Sequence, residues 1–192
     1  MKVGVIHGRF QLLHNDHLHY LLAGKKRCDH LVIGITNPDP TLTKTDPADL
    51  ERSSEQANPF TYYERYLMVR EALVDEGLGD EITIVPFPVN FPNLYRYYVP
   101  LDAVFFLSIY DGWGEKKLQM FRQLGLTTEI LWRKSLADKG LSARVIRARV
   151  AANEAWRHLV PPAVARLVDR LGLQKRIAGH GGIEKGDLVR RK

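Results

Sequence analysis

Five short apolar runs punctuate the chain, at 3–7, 31–36, 82–86, 103–108 and 129–132. Their apolar residues are continuous rather than alternating, the pattern of strands covered on both faces. Between them, apolar positions recur at helical spacing over 14–26, 61–76, 94–99, 115–124, 142–152 and 162–171. Strand alternating with helix predicts an α/β fold, an open parallel sheet of about five strands with helices on both faces and a small C-terminal helical part.

Several boundaries are written in capping chemistry. Thr61 with Glu64 forms a capping box, and Leu67, Met68, Ala72 and Leu73 fall on one stripe of the helix it opens. Pro161-Pro162 starts the last predicted helix and Gly172 follows its end. From 37 to 59, four prolines and many Asp, Ser and Thr residues predict a long loop.

Composition changes the picture little. A chain of 192 residues with 45% hydrophobic and 26% charged residues reads as one globular domain over 1–173, followed by a basic, Gly-containing tail over 174–192. Most of the net +6 charge lies in that tail, where Lys175, Arg176, Lys185, Arg190, Arg191 and Lys192 face only Glu184 and Asp187. The body is near neutral, which argues against a nucleic-acid partner. Cys28 is the single cysteine and cannot form an internal disulfide; no four-ligand zinc pattern is present. The first apolar run is too short for a signal peptide and no window approaches a membrane span, so a cytoplasmic protein without a membrane partner is expected.

Candidate chemistry sits directly after the first run, in Gly8-Arg9-Phe10-Gln11-Leu12-Leu13-His14-Asn15-Asp16-His17. In open parallel sheets, ligands bind at the carboxyl ends of strands, where strand order reverses. Gly8 allows close approach of backbone and ligand, and Arg9 offers a planar cation for phosphate oxygens. His14 and His17, three apart on the first helical turn, project from one side beside the positive end of the helix. Such a site holds phosphates and offsets charge developing during phosphoryl or nucleotidyl transfer. Zinc is disfavoured for lack of a third ligand of defined spacing, and no resident metal site is assigned.

The same segment resembles the Gly-Arg-Phe-Gln-Pro-x-His-x-Gly-His signature of the HxGH nucleotidylyltransferase superfamily. Asn58-Pro59-Phe60-Thr61 with Glu64-Arg65 and Met68, then Leu141-Ser142-Ala143-Arg144-Val145-Ile146-Arg147, then Trp156-Arg157-His158-Leu159-Val160-Pro161, are similar in order to motifs of archaeal-type nicotinamide-nucleotide (NMN) adenylyltransferases. The resemblance implies a Rossmann-like doubly wound sheet and a Mg2+-nucleoside triphosphate, ATP or CTP. An acceptor phosphate or phosphonate attacks the α-phosphate and pyrophosphate leaves. By motif match, His14, His17, Arg9 and Arg147 are the implied catalytic residues. Gly8, Phe10, Asp16, Ser142 and Arg144 would line the nucleotide site. Candidate acceptor-binding residues are Asn93, Tyr95, Trp113 and Arg133, with Tyr95 where NMN enzymes tend to have a tryptophan for the nicotinamide ring. The resemblance admits a homo-oligomer, as members commonly form.

Four positions depart from the signature: Asp16 stands for glycine, Leu12 for proline, Arg144 for threonine and Tyr95 for tryptophan. Asp16 and Arg144 are expected to pair or share a magnesium ion, so that one substitution offsets the other. The first functional reading is transfer of AMP from ATP to NMN. The alternatives are CTP-dependent cytidylyl transfer to a phosphonate or other small acid, and a non-catalytic nucleotide sensor.

Overall fold

The computed structural model describes residues 1–44, 53–138 and 140–179. Five strands, β1 (Val3–Gly8), β2 (His30–Thr36), β3 (Ile82–Phe87), β4 (Val104–Ile109) and β5 (Thr128–Arg133), form one sheet in the order β3-β2-β1-β4-β5. All pairings are parallel, with Val5 level with Val32 on one side and Phe105 on the other. Among the described residues, six α-helices connect and follow them: α1 (Asn15–Lys25), α2 (Tyr62–Asp75), α3 (Gly112–Gln123), α4 (Ala143–Ala151), α5 (Pro162–Arg170) and α6 (Leu173–Gly179). The expected doubly wound sheet is present, and its order reverses at β1, the strand flanked by β2 and β4.

Strand parity divides the core. Ile6, Leu31, Ile33 and Phe106 join the side packed by α1, α2 and α5, while Val5, Val32, Phe105 and Leu107 join the side packed by Phe121 of α3. Successive residues point to opposite faces of a strand, so a continuous apolar run feeds both halves. The capping box at Thr61 and Glu64 forms as patterned. α5 begins behind Pro161 and presents Val164, Leu167 and Val168 to the core. No helix among the described residues is long and apolar enough to cross a membrane.

Two segments differ from expectation. The 94–99 stretch, patterned as helix, is a 3-10 run from Pro92 to Tyr97, because Tyr95 turns inward between Phe87 and Phe121. The first residues of the predicted tail belong to α6, whose Leu173 and Ile177 are buried and whose Arg176 pairs with Glu64 at the start of α2. Too short to carry a periodic signal, α6 is held by packing rather than propensity. Residues 180–192 of that tail and 45–52 of the long loop lie outside the described residues.

Candidate active site

β1 delivers the chain to the switch point, and a cleft of about 380 Å³ opens there. Its walls include His7, Gly8, Arg9 and Gln11 from the end of β1 and its loop, His14, Asp16 and His17 from the start of α1, and Ser142, Arg144 and Arg147 from the start of α4. Two helix N-termini thus converge on one space, each with amide groups lacking intrahelical partners.

Buried polar contacts shape the β1–α1 loop. The Gln11 amide side chain donates to the Phe60 carbonyl (3.2 Å) and accepts from the Phe60 amide (2.9 Å), joining the loop to the segment before α2. Arg65, 1% exposed, donates to the carbonyls of Thr61 (3.2 Å), Arg9 (3.0 Å), Thr36 (2.7 Å) and Asn37 (2.7 Å). One guanidinium therefore fixes the ends of β1 and β2 together, and burial lowers its pKa to about 10. Phe10 takes a left-handed backbone (φ 51°) and tucks its ring beneath Gly8, where an added Cβ would lie 2.7 Å from it. Gly8 makes room for this ring, rather than only for ligand.

His14 is the N-cap of α1. Its Nδ1 accepts from the His17 amide at 3.3 Å, so the ring proton sits on Nε2, and its ring stacks on His17 with centroids 3.6 Å apart. Burial lowers its pKa to about 4, against a smaller opposing effect of Asp16. His14 is accordingly a neutral N–H donor at pH 7 in the free protein. Asp16 accepts from the Leu141 amide at 2.6 Å. Asp16 lines the cleft together with Arg144 and also grips the backbone of the loop entering α4, beside Gly140, where a Cβ would fall 2.3 Å from the carboxylate. Arg147 reaches back to donate to the Gln11 carbonyl, tying α4 to the β1–α1 loop.

Among the sequence-predicted residues, Gly8, Arg9, Phe10, His14, Asp16, His17, Trp113, Ser142, Arg144 and Arg147 meet at the cleft. The other three acceptor candidates do not line it. Tyr95 is 1% exposed in the core, its hydroxyl donating to the Val89 carbonyl; Asn93 is exposed on the 3-10 run; Arg133 pairs with Glu115 of α3. A 3-10 run carries Tyr95 into the core and an ion pair engages Arg133, neither of which residue type reveals. Sequence reasoning missed His7, Lys117, Tyr110 and Trp132, all of which line the cleft. His7 and Trp132 were findable as strand-end neighbours of residues already chosen. Lys117 lies on the α3 turn after Trp113, and Tyr110 acts as acceptor for the Trp132 indole N–H at 2.6 Å.

A parallel sheet whose switch point carries paired histidines on one helix start and a Ser–Arg turn on another is the framework of a nucleotidylyltransferase. The chain belongs to the cytidylyltransferase-like family, whose profile matches residues 5–149. It is 52% identical over 175 residues to the phosphonoformate cytidylyltransferase of Streptomyces viridochromogenes, covering 91% of this chain and 94% of that one. To the nicotinamide-nucleotide adenylyltransferase of Thermococcus onnurineus it is 31% identical over 179 residues, 92% of this chain and 87% of the other. The fold also matches a crystal structure of a bifunctional NMN adenylyltransferase/ADP ribose pyrophosphatase from Francisella tularensis, with a TM-score of 0.63 at 13% identity, covering 94% of this chain and 53% of that one. The protein is a nucleotidyltransferase enzyme, with a nucleoside triphosphate and an acceptor as its substrates.

Proposed function

We propose that the enzyme transfers CMP from CTP to a small phosphonate-bearing acid such as phosphonoformate, releasing pyrophosphate. The observation that carries this reading is the 52% identity to a phosphonoformate cytidylyltransferase across nearly the full length of both chains. The buried Tyr95 agrees with it, since that ring cannot stack on a nicotinamide and takes no part in the cleft wall. The cytidylyl reading thus displaces ATP-to-NMN transfer, the first expectation from the motifs.

In the reaction, a phosphonate oxygen of the acceptor forms a bond to the α-phosphorus of CTP. The bond from that phosphorus to the α–β bridging oxygen breaks, and pyrophosphate leaves with the electron pair. No protein nucleophile is needed, so catalysis rests on positioning and charge stabilisation. His14 donates Nε2–H toward the triphosphate; the anion in turn favours a charged imidazole and raises its pKa from the free-protein value. Arg9 and His17 neutralise charge beside it, and the α4 N-terminus with Ser142 and Arg147 receives the outer phosphates. Asp16 is the only carboxylate among the described lining residues, and no cluster of three metal-ligating side chains occurs among the described residues. This fits Mg2+, which is held mainly by substrate phosphates and water with one or two carboxylates, so that Asp16 is the residue placed to assist. When bound, the ion offsets triphosphate charge.

The test incubates the purified protein with each of the four triphosphates against phosphonoformate and NMN, with Mg2+, and measures pyrophosphate. Release with CTP and phosphonoformate is expected. NAD formation from ATP and NMN faster than any CTP reaction overturns the proposal.

A further inference from the structure

His7 and the paired histidines of α1 serve opposite faces of the sheet. Val5 belongs to the core half that holds Phe121 of α3, and His7, two residues on, points the same way; its ring centroid lies 5.5 Å from those of both Phe87 and Phe121. It is 5% exposed and still lines the cleft. The Lys117 Nζ stands 3.4 Å from its Nε2. An ammonium can only donate, so Nε2 accepts and the ring proton resides on Nδ1. Nδ1 has no hydrogen-bond partner among the described residues. Buried donors are almost always paired, and burial together with the nearby ammonium keeps this imidazole neutral, holding its pKa well below the ordinary range. A single unpartnered N–H beside a cation, among aromatic walls and on the face away from Asp16, suits an anionic group.

We propose that His7 and Lys117 hold the distal acid group of the acceptor, His7 through Nδ1–H and Lys117 through its charge, and so select compact acceptors with an anionic group at each end. In a molecule such as phosphonoformate, the carboxylate lies at His7 and Lys117 while the phosphonate faces the triphosphate cradle on the α1 and α4 side. The cleft thereby spans the carboxyl edge of the sheet, with nucleotide phosphates on one face and the acceptor's second charge on the other. This assignment rests on the proposed transfer to a small phosphonate acid.

The experiment compares phosphonoformate with methylphosphonate, which lacks the second charge, in the wild type and in Lys117→Met, His7→Leu and His7→Asn. Loss of one charge-assisted hydrogen bond predicts a rise of about tenfold in KM for phosphonoformate in Lys117→Met and His7→Leu, with KM for CTP within about twofold. The preference for phosphonoformate over methylphosphonate shrinks with it. His7→Asn keeps an N–H near the Nδ1 position and retains most of the preference. Equal rises in both KM values, or an unchanged preference, overturn the assignment. Lys117→Met, on the half-buried face of α3, keeps the test decisive if His7→Leu does not fold. If the wild type turns over no phosphonate with CTP, the functional reading fails separately, and calorimetric titration of the two acids decides the pocket. Weaker phosphonoformate binding in Lys117→Met supports it; identical affinity in all variants rejects it.

Discussion

Replacing Arg65 by methionine tests whether one buried guanidinium holds the active-site loops in place. Methionine fills a similar volume but offers no donor. The substitution removes the bonds of 2.7 to 3.0 Å that the carbonyls of Arg9, Thr36 and Asn37 now accept, while the Thr61 carbonyl keeps the backbone N–H of residue 65 at 3.3 Å. At about 2 kcal/mol for each buried acceptor left unmade, the gross loss is about 6 kcal/mol. Against this, the chain no longer desolvates a cation. The drop from 12.5 to about 10 in the Arg65 pKa sizes that recovery at about 3 kcal/mol. A net destabilisation of about 3 kcal/mol is expected, at the upper end of the usual range for single substitutions. Urea unfolding followed by far-UV circular dichroism measures it, with the slope checked for constancy. Arg65→Lys keeps the charge but not the fork that reaches five separate carbonyls, and should recover less than half of the loss. A change below about 1 kcal/mol for Arg65→Met would refute the reasoning, since it would mean the loops close equally well without the donor.

Two further outcomes follow from the cradle. His14 has a folded pKa of about 4 against 6.5 when unfolded, so the unfolded chain takes up a proton first as pH falls. Its contribution favours the native state above pH 6.5 and is lost between about 6.5 and 4, up to about 3 kcal/mol; the urea midpoint should fall less between pH 7 and 4.5 in His14→Asn than in the wild type. Gly140→Ala should break the Asp16 bond to the Leu141 amide, because the new Cβ would lie 2.3 Å from the carboxylate. A rise of about tenfold in KM for the triphosphate is expected, from about 1 to 2 kcal/mol of loop positioning. Adding Asp16→Gly to that variant should restore part of the affinity, and strictly additive effects of the two changes would count against the contact.

The half of the cleft proposed to take the triphosphate was legible because its residues are local in the chain. Arg9, His14 and His17 lie within one loop and one helical turn, and the Ser142–Arg147 turn repeats the same logic at a second helix start, so pattern and spacing suffice to place them. Arg65 shows a partial case: its motif marks it, yet only the structure reveals that it serves five backbone carbonyls rather than a ligand. Asp16 is similar. Its charge beside a phosphate site signals a departure from the family pattern, but whether the partner is Arg144, a metal ion or a backbone amide depends on where the 140–142 loop passes.

The acceptor half was the less legible one. Tyr95 and Arg133 have suitable chemistry and suitable positions in the chain, but a 3-10 run turns the first into the core and an ion pair with Glu115 engages the second. His7 receives its meaning from Phe87 of β3 and from Lys117 and Phe121 of α3, neighbours in space that lie far from it along the chain. By itself the sequence determined the strand and helix periods, the caps, the α/β class and the loop-and-helix segment that lines the cleft, all of which depend on neighbours within a few residues. Tertiary structure alone decided which side chains share the cleft across the sheet edge, which aromatic rings become core, and which buried donor is left for a ligand. Those outcomes depend on side-chain direction and on contacts between distant segments, and neither is encoded in local pattern.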